Sequence, residues 1–264
     1  MDLNVLLAAL ILGLVEGLTE FLPVSSTGHL IIVADFFNFT GERAKTFEIF
    51  IQLGSILGVM WFYRRRLTSL IARIDSGPTQ QLLRNIAIAF LPAAILGLLL
   101  HRYIKEYLFN PTTVAVALVV GGIVILVIER LPLRARIRQM DEMSASDAFK
   151  VGCAQMLALC PGVSRSGATI MGGLVFGLSR TAATEFSFFL AMPTMLAATV
   201  YDLYKNIDLL SREDILLFAV GFVAAFITAL IVVKMFLAYV VRHNFTPFAY
   251  YRIVLGTLVL IYFW

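Results

Sequence analysis

A chain of 264 residues that is 60% hydrophobic and only 14% charged, with a mean hydropathy of +0.89, is far more apolar than a soluble domain, because soluble domains are about a quarter charged. These values exclude an ordinary soluble protein and indicate an integral membrane protein, in which the many apolar runs without strand-like alternation favour helices. The net charge of +4 does not indicate nucleic-acid binding, since the arginines cluster in short loops between the apolar runs.

The first apolar region, residues 3 to 39, is interrupted by the sequence PVSSTG. A break of Pro, Ser and Gly at membrane depth is tolerated only where protein or a water-filled cavity covers it. We therefore predict a re-entrant helix–loop–helix hairpin, although residues 3 to 22 alone are long enough to cross the membrane. A second broken region, residues 148 to 178, is interrupted by PGVSRSG and is predicted to form a second hairpin.

Six uninterrupted apolar segments each have about the 17 to 25 residues that a bilayer crossing requires. They lie at about residues 45–63, 84–101, 112–129, 184–204, 214–234 and 248–264. The sequence therefore predicts an all-α polytopic membrane protein with six transmembrane helices and two re-entrant hairpins.

The two halves of the chain resemble each other at a nearly constant offset. VSSTG begins at Val24 and VSRSG at Val163, and the same offset relates Phe47 to Phe186. The segments FNPTTV and FTPFAY correspond at a slightly smaller offset, which relates Phe109 to Phe245. The repetition predicts a duplicated unit. The predicted units are residues 1–131 and 148–264, joined by a cytoplasmic linker of residues 132–147.

Each predicted unit has one hairpin and three crossings, and an odd number of crossings inverts the second unit relative to the first. In this arrangement the arginine-bearing loops at 64–84, 130–138 and 234–242 share one side, which the positive-inside rule assigns to the cytoplasm. The loops at 101–111 and 205–213 then lie outside. The first hairpin enters from the outer face and the second from the cytoplasm, so their polar tips meet near the middle.

The membrane segments contain several carboxylates. Glu16 and Glu20 lie four residues apart, so on a helix they share one face. Two such carboxylates repel unless one is protonated or a cation is shared, and the candidate cations are Arg165 and a divalent metal. The alternative is that the pair only lines a polar cavity or pairs with arginine for assembly. Glu48 and Glu185 are expected in the first turns of long helices, where the helix dipole accounts for them.

Each predicted tip carries hydroxyl groups at the start of a short helix. The tip residues are Ser25, Ser26, Thr27 and Gly28 in the first hairpin and Ser164, Arg165, Ser166 and Gly167 in the second. Helix N-termini favour phosphate through unpaired amides and the helix dipole, and glycine allows close approach. The hydroxyls could equally be ordinary N-caps. A guanidinium at membrane depth needs a partner, however, and its donors suit phosphate, so the tips together indicate an oxyanion site.

His29 follows Ser26 by three residues, so on a helix the imidazole and the hydroxyl can hydrogen-bond. Such a pair has the chemistry of a nucleophile and its base. The alternative is a structural histidine whose ring nitrogens are satisfied by other groups.

Four stretches resemble the bacterial undecaprenyl-diphosphate phosphatase family, also known as the bacitracin-resistance family. They are GLVEGLTEFLPVSSTGHLIIV, KTFEIFIQLGSILGVMWFYRRRL, LALCPGVSRSGATIMGG and SRTAATEFSFFLAMPTMLAAT. The resemblance implies hydrolysis of a C55 polyprenyl diphosphate to undecaprenyl phosphate and inorganic phosphate. It also implies a place in the bacterial inner membrane with the site open to the periplasm, a role in carrier recycling for peptidoglycan synthesis, and bacitracin resistance.

The resemblance also assigns residues. By position it puts function on Glu16, Glu20, Ser26, His29, Ser164, Arg165 and Thr169. It implies that the two glutamates hold a divalent cation, Mg²⁺ or Ca²⁺, and that Arg165 and the tips bind the diphosphate. Ser26 is the nucleophile candidate and His29 its base or the leaving-group acid, with attack by water or by His29 as the alternatives. Many members of the family are expected to be homodimers.

A polyprenyl-phosphate flippase or anion transporter is the rival function. Secondary transporters also use inverted repeats, broken helices and an anion site at the midplane. The combination of a serine, a histidine and a carboxylate pair favours hydrolysis, because a pure anion carrier needs none of them.

Overall fold

The computed structural model describes residues 3–205 and 214–263, which are mostly helical. Most of the predicted outer loop at 205–213 and the last residue, Trp264, therefore lie outside the described residues. The helices are α1 (Leu3–Thr19), α2 (Ser26–Phe36), α3 (Glu42–Phe62), α4 (Arg64–Ala72), α5 (Gly77–Tyr103), α6 (Pro111–Arg130), α7 (Ala145–Gln155), α8 (Arg165–Val175), α9 (Arg180–Lys205), α10 (Ile215–Val240) and α11 (Thr246–Tyr262). A π-helical turn covers Ile104–Leu108, and 3₁₀ turns cover Met140–Glu142 and Met156–Leu159.

Several of these helices are long and apolar enough to cross a membrane. Among the described residues four qualify alone, in α5, α6, α9 and α10, and a fifth candidate is the pair α3 and α4, which is bent by 69°. The sixth predicted crossing corresponds to α11, which has 17 residues, as does α1. Length and composition thus describe an all-helical, multi-pass membrane protein.

The bend between α3 and α4 was not predicted. The apolar segment ends at Phe62, and α4 opens with Arg64, Arg65 and Arg66. No residue of α4 is buried, and charged side chains are costly at membrane depth. The chain therefore turns away where the arginines begin.

The regions that Pro, Ser and Gly interrupt each form two α-helices separated by a break, which in the second region includes the 3₁₀ turn Met156–Leu159. Residues 20–25 separate α1 from α2, and residues 156–164 separate α7 from α8. Proline lacks a backbone donor and kinks or breaks a helix when it lies in the interior; α5 and α9 continue through Pro92 and Pro193, whereas at Pro23 the chain is not helical. In the second region Gly162 adopts a φ of 92°, a conformation that glycine tolerates best.

Equivalent features recur at the offset that relates Val24 to Val163 in the sequence. Helices α2 and α8 have 11 residues each, and their first residues are related by this offset. It also relates Ser25, with a φ of 69°, to Ser164, with a φ of 75°. The same is true of Asn38 and Gly177, whose φ values are 50° and 90°. The backbone therefore takes the same rare conformation at corresponding places in both halves.

Close packing of helices surrounds the two breaks. Helix α1 packs against α10, and α7 packs against α5. Glycine permits both contacts, because a Cβ on Gly13 would lie 2.3 Å from the Gly221 carbonyl oxygen and one on Gly152 would lie 2.5 Å from that of Ala89. The breaks are thus held inside the helix bundle, where Ser26 is only 6% exposed.

The linker between α6 and α7 is tied to the second broken region. Arg136 forms an ion pair with Asp147, and Ser144 Oγ accepts the Asp147 backbone N–H at 3.2 Å. Burial opposes ionisation of Asp147, but the hydrogen bonds from Arg136 and Ser144 outweigh it and lower its pKa to about 2. These contacts fix the beginning of α7.

Candidate active site

Glu20, Ser26 and Arg165 form a continuous chain of hydrogen bonds. Ser26 Oγ donates to Glu20 Oε2 at 2.5 Å, and Arg165 Nη2 donates to Glu20 Oε1 at 3.3 Å. The Glu20 and Arg165 side chains are only 9% and 11% exposed, and opposite charges attract more strongly away from water. The two broken regions therefore meet at an ion pair whose carboxylate also binds a hydroxyl group.

The local backbone explains this arrangement. Glu20 follows the end of α1, and its N–H still donates to the Glu16 carbonyl oxygen at 3.0 Å. Ser26 and Arg165 are the first residues of α2 and α8. The residues before them have positive φ, so the chain turns sharply and presents both side chains at the tips.

The guanidinium of Arg165 lies in a partly polar pocket. Its Nη1 donates to the Ser187 carbonyl oxygen at 2.9 Å, and Nη2 lies 3.4 Å from Met195 Sδ. The ring of Phe21 lies 5.6 Å from the guanidinium carbon. Within the described residues Arg165 Nε has no hydrogen-bond partner. The side chain is thus held in place while one of its buried donors remains unpaired among the described residues.

Glu16 is the most deeply buried carboxylate of the site. It is 0% exposed, and neither carboxylate oxygen has a hydrogen-bond partner among the described residues. The charges of Glu20, Glu48 and Arg165 act on it. A buried charge without compensation is costly, so this carboxylate needs a proton or a cation.

The donor set has the chemistry for a hard divalent cation but not for a complete cage. Glu16 and Glu20 offer carboxylate oxygens, which Mg²⁺ and Ca²⁺ prefer. The described residues contain no group of three or more His, Cys, Asp or Glu side chains that could hold a metal. Mg²⁺ commonly binds through one or two carboxylates together with substrate phosphates and water. The residues therefore fit a cation that is shared with a phosphorylated ligand.

His29 does not make the predicted hydrogen bond to Ser26. Its Nδ1 lies 2.7 Å from the Ser25 carbonyl oxygen and its Nε2 lies 2.7 Å from the Tyr251 hydroxyl. A carbonyl oxygen only accepts, so Nδ1 carries a proton, and in the neutral form of the ring Nε2 accepts from the Tyr251 hydroxyl. The Ser26 hydroxyl is instead bound to Glu20. The structure therefore corrects the expected partner of Ser26 from the imidazole to a carboxylate.

Most hydroxyls of the second tip bond within the protein. Ser164 Oγ accepts the Gly167 N–H at 3.1 Å and caps α8. Ser166 Oγ donates to the Leu22 carbonyl oxygen at 2.6 Å, across to the first broken region. Thr169 Oγ1 lies 2.7 Å from Ser187 Oγ. The N-cap alternative thus holds for Ser164, while α8 is joined to its neighbours through the other two.

The first tip is organised differently. The Ser25 side chain does not cap α2, although its carbonyl oxygen binds His29. Thr27 is half-buried beside it. A Cβ on Gly28 would lie 2.8 Å from Leu118 Cδ1, so α2 packs closely against the Leu118 side chain of α6. The start of α2 therefore keeps backbone donors that no cap side chain occupies.

Comparison with known proteins shows the family to which the chain is related. The family model described as bacitracin resistance protein BacA matches residues 9–258. The chain belongs to this family. It is 56% identical to an undecaprenyl-diphosphatase of Methylobacillus flagellatus over the full length of both chains. It is 58% identical to one of Aromatoleum aromaticum over 98% of this chain and 95% of the relative, and 56% identical to undecaprenyl-diphosphatase 2 of Rhodospirillum rubrum over 100% and 97%.

From the sequence, one side chain near the site of this BacA family member was placed in the wrong helical turn, and another was not singled out. Glu48 was expected in a first helical turn, but α3 begins at Glu42 and places it in the second turn, where its charge acts on Glu16. Ser187, which binds Arg165, was not singled out. The offset between the two halves relates Ser187 to Glu48, and this correspondence could have identified Ser187 as a site residue. Glu185 likewise lies beyond the first turn of α9.

Helix α11 of this family member also reaches the site. Tyr251 stacks on His29 with ring centroids 5.5 Å apart, and the neighbouring Arg252 is 1% exposed. No sequence signal pointed to Tyr251, because its partner lies near the opposite end of the chain.

Proposed function

We propose that the protein is an undecaprenyl-diphosphatase that removes the terminal phosphate of a C55 polyprenyl diphosphate. Its relatives carry that name, and family membership associates the chain with bacitracin resistance. The observation that carries the proposal is the chain from Ser26 through Glu20 to Arg165. It combines a nucleophile, a proton acceptor and a phosphate-binding cation in one buried place.

Ser26 is the nucleophile, and Glu20 is its base. Ser26 Oγ attacks the terminal phosphorus, and its proton passes to the carboxylate that already accepts it at 2.5 Å. The Oγ–P bond forms while the anhydride P–O bond breaks, and undecaprenyl phosphate leaves with the electron pair. Water then attacks the phosphoserine, inorganic phosphate is released, and Ser26 regains a proton. His29 orients the tip through Ser25 instead of taking this proton.

Arg165 stabilises the transferring phosphoryl group. Charge on its equatorial oxygens has to be neutralised in the transition state, and guanidinium donors suit phosphate geometry. The backbone N–H groups at the start of α2 also stabilise the phosphoryl oxygens, since helix N-termini favour phosphate. Fixed donors of this kind lower the barrier without reorganisation during the reaction.

A divalent cation would be held by Glu16 and Glu20. When bound, it would neutralise charge on the diphosphate oxygens. The unpartnered oxygens of Glu16 support this assignment. A cation held by only two carboxylates would take its remaining ligands from the substrate phosphates and water.

The site is built from an inverted repeat in the bacterial inner membrane. Residues 1–131 and 148–264 each contribute one re-entrant hairpin and three transmembrane helices. The equal lengths of α2 and α8 and the positive φ at Ser25 and Ser164 support the duplication. With the arginine-bearing loops in the cytoplasm, the first hairpin enters from the periplasmic side, and the site opens there.

Phosphate release from undecaprenyl diphosphate by purified protein in detergent tests this function. We expect Ser26→Ala and Glu20→Gln to lower kcat by about 10²- to 10⁴-fold, because they remove the nucleophile and its base. Mass spectrometry of acid-quenched wild type should find phosphoserine at Ser26. EDTA should abolish release, and Mg²⁺ or Ca²⁺ should restore it.

Glu106→Gln is the matched control, because Glu106 is an exposed carboxylate that pairs only loosely with Arg102, at 3.9 Å. It should release phosphate like wild type. Unchanged release by folded Glu20→Gln protein would reject Glu20 as the base. Absence of release by wild type, with polyprenyl phosphate still moving across liposome membranes, would favour the flippase.

A further inference from the structure

Arg252 is a buried cation that forms no ion pair within the described part of the chain. Its side chain lies in the middle of α11 and is 1% exposed. None of the ion pairs formed among the described residues includes it. Burying an unpaired charge is costly, so the guanidinium must be compensated in another way.

Backbone carbonyl groups provide that compensation. A guanidinium has five N–H donors, and Arg252 makes five hydrogen bonds. The acceptors are the carbonyl oxygens of Pro23, Ala117, Leu118, Gly162 and Val163, at 2.9 to 3.3 Å. Every donor of the side chain is therefore used.

These carbonyl groups belong to three separate segments. Pro23 lies in the break before α2, Gly162 and Val163 lie in the break before α8, and the other two acceptors lie in α6. One side chain from α11 thus joins both tips to each other and to α6. Because a trans peptide is planar, holding the Val163 carbonyl also fixes the direction of the Ser164 N–H, directly before Arg165.

The surrounding residues leave room for a guanidinium. A Cβ on Gly121 would lie 2.1 Å from Arg252 Nη2, and one on Gly167 would lie 3.1 Å from Nη1. Lysine could not replace the contacts, since its three donors share one nitrogen and lack the planar fork. The site is shaped for arginine on both the tip side and the α6 side.

We propose that Arg252 is a positioning residue for the hydrolysis, holding the two tips in register so that Ser26 and Arg165 act on the same diphosphate. The inference rests on the proposed function. Arg252 acts through the backbone of the tips, and misplacing a reacting group by about 1 Å costs about 100-fold in rate. Loss of the five hydrogen bonds of Arg252 therefore lowers kcat in protein that remains folded.

The test compares Arg252→Lys, Arg252→Met and Gly121→Ala with wild type. Gly121→Ala keeps the charge but displaces the guanidinium, and Thr257→Ala, on the exposed face of the same helix, is the matched control. The thermal midpoint in detergent and the kcat and KM for phosphate release from undecaprenyl diphosphate are measured. We expect kcat to fall about 100-fold in the first three variants, with little change in KM and no rescue by lysine, and Thr257→Ala to match wild type.

Each outcome decides the question. Wild-type kcat in folded Arg252→Lys and Gly121→Ala protein would overturn the positioning role, and so would a loss of activity equal to the loss of folded protein. A raised KM with unchanged kcat would assign Arg252 to substrate binding instead. If wild type itself releases no phosphate, the proposed function fails, which is a separate result from equal rates in wild type and variants.

Discussion

Ser25 and Ser164 hold the backbone conformation on which the site depends. Their φ values of 69° and 75°, with ψ values of 100° and 116°, lie in a sparsely populated region that costs a non-glycine residue about 1 to 3 kcal/mol, and strain of this kind clusters at functional sites. At position 25 a substitution tests the backbone strain alone, because the Ser25 side chain does not cap α2 and no capping hydrogen bond is lost. We therefore expect Ser25→Gly to be more stable than Ser25→Ala by about 1 kcal/mol in the free energy of unfolding in detergent.

Ser69 provides the control for that comparison, because it lies exposed within α4 in ordinary helical backbone. There the order should reverse, with Ser69→Ala more stable than Ser69→Gly by about 0.5 to 1 kcal/mol. If alanine also equals or exceeds glycine in stability at position 25, the positive φ carries no strain.

The sequence identified Glu20, Ser26 and Arg165 as candidates because charge and hydroxyl groups at membrane depth need partners. It offered His29 as a partner of Ser26 with a structural histidine as the alternative, because spacing within α2 reports only neighbours on the same helix, and the alternative describes His29 as the structure has it. The competing groups, Glu20 for Ser26 and Tyr251 for His29, come from other segments. Arg252 could not be predicted in this way, because its partners are backbone carbonyl groups, which every residue has, and no acidic side chain in the sequence points to it.

At the scale of elements, the two broken regions are held by close helix contacts at equivalent glycines. Gly13 of α1 and Gly152 of α7 are related by the offset between the halves, and each faces a backbone carbonyl oxygen of another helix. A backbone atom cannot move aside as a side chain can. We therefore expect Gly152→Ala to lower the free energy of unfolding by about 1 to 3 kcal/mol, measured by denaturant titration in detergent.

Gly77→Ala is the appropriate comparison, because a Cβ there would meet nothing within 4 Å. It should leave stability unchanged or raise it by less than about 1 kcal/mol. Equal effects of the two substitutions would show that the approach of α7 to α5 does not depend on glycine.

Helix existence was easier to predict than helix ends. Hydropathy located the apolar part of α5 near residue 84, whereas the helix begins at Gly77, because a polar helical turn outside the apolar run has no hydropathy signal. The breaks at PVSSTG and PGVSRSG were predictable, since Pro and Gly act locally on the backbone. The bend after Phe62 lies where the sequence changes from apolar to charged residues. The arginines end the membrane segment, but they favour helical backbone, so the sequence showed no break there.

At the scale of the whole molecule, the duplication of the two units and the inversion of the second unit in the membrane are separate properties. The recurring backbone features at Ser25 and Ser164 concern duplication, whereas inversion rests on parity and loop charge. The correspondence of the segments FNPTTV and FTPFAY, extended two positions towards the N-terminus, relates Tyr107 to His243. If the second unit is inverted, these equivalent residues lie on opposite faces of the membrane.

Single cysteines at these two positions test the inversion directly. Tyr107 is 57% exposed, and His243 lies in the exposed turn between α10 and α11, so both substitutions should be tolerated. In a background with Cys153 and Cys160 replaced by alanine, a membrane-impermeant maleimide added to intact spheroplasts should label Tyr107→Cys and not His243→Cys. Detergent should expose both to the reagent, which controls for reactivity. Labelling of both cysteines before detergent would exclude the inverted arrangement, because equivalent loops would then share one face and the two tips would enter from the same side.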